Sequence, residues 1–199
     1  MFRRLRIWTG KNSTKKKFYG DVGSWAVWAE VGDRKKSNVG DLSVLDSDKN
    51  RTLLNTLNPE IVLVGLNISR GEIENFANFH DSYRYANDFK IRHALKNTPL
   101  WGGYMTDIIK DFEEKNSQKV NELLTPKLIR YNIKNFEKEM ADIGSTEAKL
   151  FAFGDDVYEI LADNLGDKYE ITKLMHYSER IGQEDYKDDV LEKIIGLFD

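Results

Sequence analysis

Cysteine is missing altogether, and with it go disulfides, thiolate zinc sites and cysteine-ligated iron–sulfur clusters. That composition suits a reducing cytoplasm, the compartment expected for this chain. Histidine is scarce. His80, His93 and His176 lie far apart and show no metal-ligand spacing, so carboxylates are the only route left to a metal and none is expected. No Gly-rich phosphate cradle and no nucleophile-elbow arrangement of Ser, His and Asp is present, and no cofactor is expected. No apolar run approaches the ~18 residues of a membrane span. The opening residues MFRRLRIW hold arginines but neither an apolar core region nor a small-residue cleavage site, so a secretory leader is not expected. Proline is limited to Pro59, Pro99 and Pro126, and each marks an element boundary.

What remains is ordinary globular composition, 40% hydrophobic and 32% charged over 199 residues, with the charge unevenly spread. Residues 1–51 carry 12 Lys and Arg against 6 Asp and Glu, while the other 148 residues carry 18 against 27. A basic segment on an acidic body is suited to phosphates, and equally to a solvated face. Within it Arg4, Arg6 and Trp8 alternate with Leu5 and Ile7, and Ser24–Val31 alternates aromatic or branched residues with small ones. Both read as strands. The intervening loops hold Lys15, Lys16, Lys17, Arg34, Lys35 and Lys36, so residues 1–51 are expected to form a basic antiparallel hairpin or small meander.

From Pro59 the pattern changes. The run Ile61–Leu66 is too short for a helix and too uniformly apolar for a half-exposed strand, which predicts a strand buried on both faces. Further strands are expected over Trp101–Ile109, Ala148–Phe153 and Glu170–Met175. Helices are expected over Arg84–Lys96, Asn116–Leu124, Pro126–Ile143, Val157–Asn164 and Glu184–Phe198. This alternation predicts an α/β fold with a central, mainly parallel four-stranded sheet covered on both faces as a three-layer sandwich, carrying the 1–51 hairpin as an extension of a 52–199 domain.

Four polar groups then fall at carboxyl ends of parallel strands: Asn67, Asp107, Gly154 with Asp155, and His176 with Ser178. Ligands bind on that rim in open α/β sheets. Each group has a plain structural reading as a cap or turn residue, and their convergence carries the information.

Several stretches in order resemble the uracil-DNA glycosylase superfamily, closest to its mismatch-specific branch: GLNIS at 65–69, Phe79, YMTDIIK at 104–110, LFAFGDDVYEIL at 150–161 and HYSER at 176–180. Gly65-Leu66-Asn67-Ile68-Ser69 is similar to that family's Gly-Ile-Asn-Pro-Gly, and His176-Tyr177-Ser178 to its His-Pro-Ser turn, with Tyr for Pro. Phe79 stands 12 positions after Asn67, the place of the family's base-stacking aromatic. The resemblance spans roughly residues 58–198.

It implies a protein that cleaves or recognises an N-glycosidic base in DNA or a nucleotide, or a non-catalytic binder on the same fold. Asn67 would orient a water and His176 would donate to the leaving base's oxygen. Phe79, Asp107 and Gly65 would hold the base, and Ser69, Arg70, Ser178 and Arg180 the phosphates. Asp107 stands where the family has Asn. An ionised Asp offers only acceptors, which predicts an amino-bearing or modified base in place of plain uracil. A small-molecule hydrolase or transferase is the third class weighed, without a motif of its own.

Overall fold

A computed structural model describes residues 19–68, 74–110 and 124–198. The elements in order are β1 (Gly23–Trp25), a 3-10 turn (Leu42–Leu45), α1 (Leu53–Thr56), β2 (Asn58–Asn67), α2 (Asp88–Leu95), β3 (Gly103–Ile109), α3 (Pro126–Ile143), β4 (Lys149–Phe153), α4 (Asp155–Leu165), β5 (Ile171–Leu174) and α5 (Gln183–Ile194).

The apolar run in β2 is buried on both sides, as its composition requires. Ile61 and Leu63 face one cluster, with Ile91 and Leu95 of α2 and Val190 of α5. Val62 and Val64 face the other, with Phe136 and Met140 of α3 and Val157 and Leu161 of α4. Helices therefore cover both faces. Each fully buried aliphatic side chain contributes roughly 1.5–3 kcal/mol, so the central strand anchors the molecule.

The described residues form a five-stranded sheet in the order β1-β3-β2-β4-β5, one strand more than the four expected. The four parallel strands are those read from the sequence. The fifth is β1, antiparallel to β3 with Gly23 opposite Thr106 and Trp25 opposite Tyr104.

Of the expected strand Ser24–Val31, only Ser24 and Trp25 are strand, within a three-residue β1 that joins the main sheet. Ala26, Val27 and Trp28 are buried, and Trp28 packs in the cluster that holds α2. Alternating aromatic and small residues read the same whether they form a ladder or pack a core, so period 2 alone could not separate them. The run Leu42–Leu45 is a 3-10 turn with Asp41 accepting from the Ser43 N–H. The first expected strand, with Lys15–Lys17, lies outside the described residues.

α3 spans the expected residues, with Thr125 accepting from the Leu128 N–H, Pro126 in the first turn and Gly144 left-handed at the end (φ 84°). α2 starts four residues later than expected, because Asp88 is spent on the preceding loop: its carboxylate accepts from the Asp81 N–H, and Asp81 accepts from the Tyr83 N–H. Of the helix expected over Asn116–Leu124, residues 116–123 lie outside the described residues.

Candidate functional site

β2 has β3 on one side and β4 on the other, so the chain reverses its direction of travel across the sheet between those neighbours. The crevice beyond the carboxyl ends at such a reversal is where open α/β sheets hold ligands. Here those ends bring Gly65 and Asn67 of β2, Asp107 of β3 and Gly154 after β4 to the same rim, with His176 following β5.

Gly65 lies opposite Asp107 in the ladder. A Cβ on Gly65 would stand 2.2 Å from Asp107 Oδ1 and 3.2 Å from the Phe79 ring. The glycine is therefore what lets a carboxylate and an aromatic ring meet above the strand. Asp107 is only 3% exposed, and the Asn78 amide donates to its Oδ2 at 2.8 Å. Burial pushes its carboxyl up to about 6, against the Asn78 hydrogen bond and the Lys110 charge, which favour ionisation. Asn67 follows Gly65 by two residues and so shares its sheet face. It is half-buried, and its amide donates to the Ile68 carbonyl at 3.2 Å.

Phe79 is 5% exposed, its ring tilted against Phe153 at 6.1 Å and edge-on to Tyr177 at 6.4 Å. It and Phe76 hold left-handed backbone (φ 62° and 66°), a conformation costly for aromatic residues and found where surrounding contacts enforce it. Those contacts come from the N-terminal segment. The Ser24 hydroxyl donates to the Phe76 carbonyl, the Trp28 indole to the Phe79 carbonyl, and the buried His80 ring sits between the Val27 and Asn78 carbonyls. Asn78 also donates to the Val22 carbonyl.

His176 stacks on Tyr177 at 4.5 Å, and Tyr177 in turn meets Phe153 edge-on at 5.4 Å. Asp107, Gly65, Phe79, Tyr177 and His176 thus form one contiguous set. The Ser178 N–H donates to His176 Nδ1 at 3.2 Å, and Ser178 Oγ lies 2.7 Å from the same nitrogen. An accepting Nδ1 leaves the proton on Nε2, so the neutral ring offers an Nε2–H donor. Burial lowers its tendency to take a second proton, against the nearby Glu179 and Asp156 charges. Gly154 packs against the His176 ring and has φ 91° and ψ 174°, a region that glycine alone occupies comfortably.

Ser178 and Arg180 are exposed. Ser69 and Arg70 lie outside the described residues. Among the expected site residues, then, Gly65, Phe79, Asp107 and His176 belong to one cluster, Asn67 shares its strand face, and the Ser178 hydroxyl is already engaged by His176.

Sequence reasoning missed three participants. Asn78 holds the Asp107 carboxylate; its adjacency to Phe79 was the available signal. Tyr177 was noted only as a replaced proline. The third is a buried ion pair on the opposite sheet face: Lys110 Nζ contacts Glu139 Oε2 at 2.8 Å and donates to the Asp107 backbone carbonyl. Glu139, 1% exposed, also accepts from Tyr104 Oη at 2.7 Å and Thr106 Oγ1 at 2.8 Å. An acid in the middle of a long amphipathic helix gives no sequence signal that it is buried.

Among the described residues no group of His, Cys, Asp and Glu could hold a metal ion, and no helix is long and apolar enough to cross a membrane. No family model, curated protein or solved structure matches the chain.

Proposed function

We propose that this chain is a glycosylase-like protein of the uracil-DNA glycosylase type, built as an α/β/α sandwich, that holds a nucleobase of DNA or of a nucleotide at the strand-end cluster and hydrolyses its N-glycosidic bond. The observation that carries the reading is the meeting of Asp107 and Phe79 over Gly65 at the β2/β3 rim, with His176 and Tyr177 continuing the same surface. A carboxyl that takes and loses a proton near pH 6, walled by aromatic rings, suits recognition of a hydrogen-bonding, π-faced heterocycle.

In this reading a water oxygen bonds to the sugar's anomeric carbon as the bond to the base breaks. The bonding electron pair stays on the base, and the water's spare proton passes to solvent. Asn67 orients the water; an amide is a poor base, so the reaction is slow. The His176 Nε2–H stabilises the charge on the leaving base's carbonyl oxygen. Ionised Asp107 accepts from an N–H and an amino group on the base edge.

The engaged Asn67 amide and the buried Phe79 ring favour a second reading, a non-catalytic nucleotide or nucleic-acid binder using the same cluster. Base release from oligonucleotides bearing amino-substituted, deaminated and mismatched bases separates the two. The enzyme reading requires release that falls at least tenfold in Asn67→Ala and in His176→Ala. Binding without release selects the second reading, and release untouched by both substitutions sinks the site.

A further inference from the structure

The basic residues of the Gly32–Gly40 loop, set aside at the sequence level between phosphate contact and solvated face, meet a second loop in the fold. Gly40 approaches Ser82 closely enough that a Cβ would stand 3.2 Å from its side chain. Lys36 Nζ donates to the Arg84 and Ala86 carbonyls, both at 2.7 Å. Arg92 is buried, and its guanidinium donates to the carbonyls of Ala29, Lys35 and Ser37. The Asp88–Asp81–Tyr83 chain of hydrogen bonds fixes the other loop. Two surface loops are thereby pinned together, side by side.

The side chains they present are unusual for a solvated face. Tyr83 and Tyr85 are 55% and 65% exposed, with ring centroids 5.5 Å apart at a steep angle. The Arg84 guanidinium lies 4.5 Å over the Tyr85 ring. Arg34 and Lys35 are exposed on the adjoining loop. Large aromatic rings more than half exposed add little burial to the fold, whereas rings interleaved with Arg and Lys provide stacking faces for bases and charges for phosphates. A membrane would call for aliphatic side chains, and the Arg and Lys interleaved with these rings favour an anionic, base-bearing partner.

We propose that the Tyr83-Arg84-Tyr85 loop and the Arg34-Lys35 loop form a docking surface for a single strand of nucleic acid. It rests on the functional reading only in location. The loop leaves directly from Phe79, so a docked strand would run alongside the strand-end cluster. Paired bases hide their faces, so these tyrosines would engage an unpaired strand and not a duplex.

The test uses a fluorescently labelled 15-nucleotide oligo(dT), read by anisotropy against the full chain, with circular dichroism to confirm folding. Because the probe need not be cleaved, it reports on this surface whether or not the protein is a glycosylase. Tyr83→Ala and Tyr85→Ala should each weaken binding about tenfold, Tyr85→Phe should keep it, and Arg84→Gln should reduce the salt slope by about 0.7. A matched duplex binding as tightly as the single strand, or tyrosine substitutions without effect, would overturn the proposal. Loss of base release with probe binding intact would strike the catalytic reading alone.

Discussion

At the scale of single residues, Asp107 combines two consequences of one burial. Its carboxyl titrates near 6 in the fold against an ordinary value of 3.8. A raised value means that the folded state prefers the protonated acid. The stability it contributes is complete below about pH 4 and is lost as the pH rises through about 6. Asp107→Asn should therefore be the more stable protein at pH 7.5, by on the order of 2–3 kcal/mol, with the gap closing toward pH 4. Urea midpoints of both proteins at the two pH values check this. The same proton changes recognition: the ionised form only accepts, whereas the acid donates and accepts as an Asn would. Preference for amino-bearing bases should hold at pH 7.5 and shift toward uracil-like edges below pH 6, and Asp107→Asn should show the uracil-like preference at every pH. Gly65→Ala tests the neighbouring requirement. Its methyl would collide with the carboxylate, so a loss of roughly 1–3 kcal/mol is expected, together with loss of the pH-dependent preference.

Whole elements were legible where their punctuation was local. α3 is bracketed by Thr125-Pro126 and Gly144, and its limits followed from those residues alone. β2 followed from an uninterrupted apolar run that only a strand covered on both faces can bury. The candidate site was legible to the extent that it sits at strand ends: Asp107 and His176 follow from strand placement without any knowledge of packing, whereas Gly65 and Phe79 were singled out by the family resemblance. Asn78, Tyr177 and the Lys110–Glu139 pair were not legible, because each gains its role from a contact across the sheet or between loops that no period encodes. That pair gives the element-scale prediction. Glu139→Leu leaves the Lys110 ammonium in a buried setting and strips Tyr104 and Thr106 of their acceptor, with an expected cost of about 3–5 kcal/mol. A double substitution, Glu139→Leu with Lys110→Met, should recover much of it, as a thermal-melt comparison would read.

At the scale of the molecule, the described part of the N-terminal segment, from Tyr19 on, packs into the body of the fold. β1 closes one side of the sheet against β3, and the residues just after it brace the loop that carries Asn78 and Phe79. Its three ladder positions make a shorter ladder than those of β2–β3 and β2–β4. Such attachments open before the rest of a domain does. When β1 leaves, the Ser24 bond to the Phe76 carbonyl goes with it, and the left-handed backbone at Phe76 and Phe79 loses part of its support beside Gly65. Amide hydrogens of Gly23–Trp25 and of residues 76–80 should therefore exchange with solvent deuterium at one shared rate, well ahead of Ile61–Val64. The recognition surface would come apart as a unit in a molecule whose central strands stay closed, which makes ligand affinity answer to an opening equilibrium governed some fifty residues away in sequence.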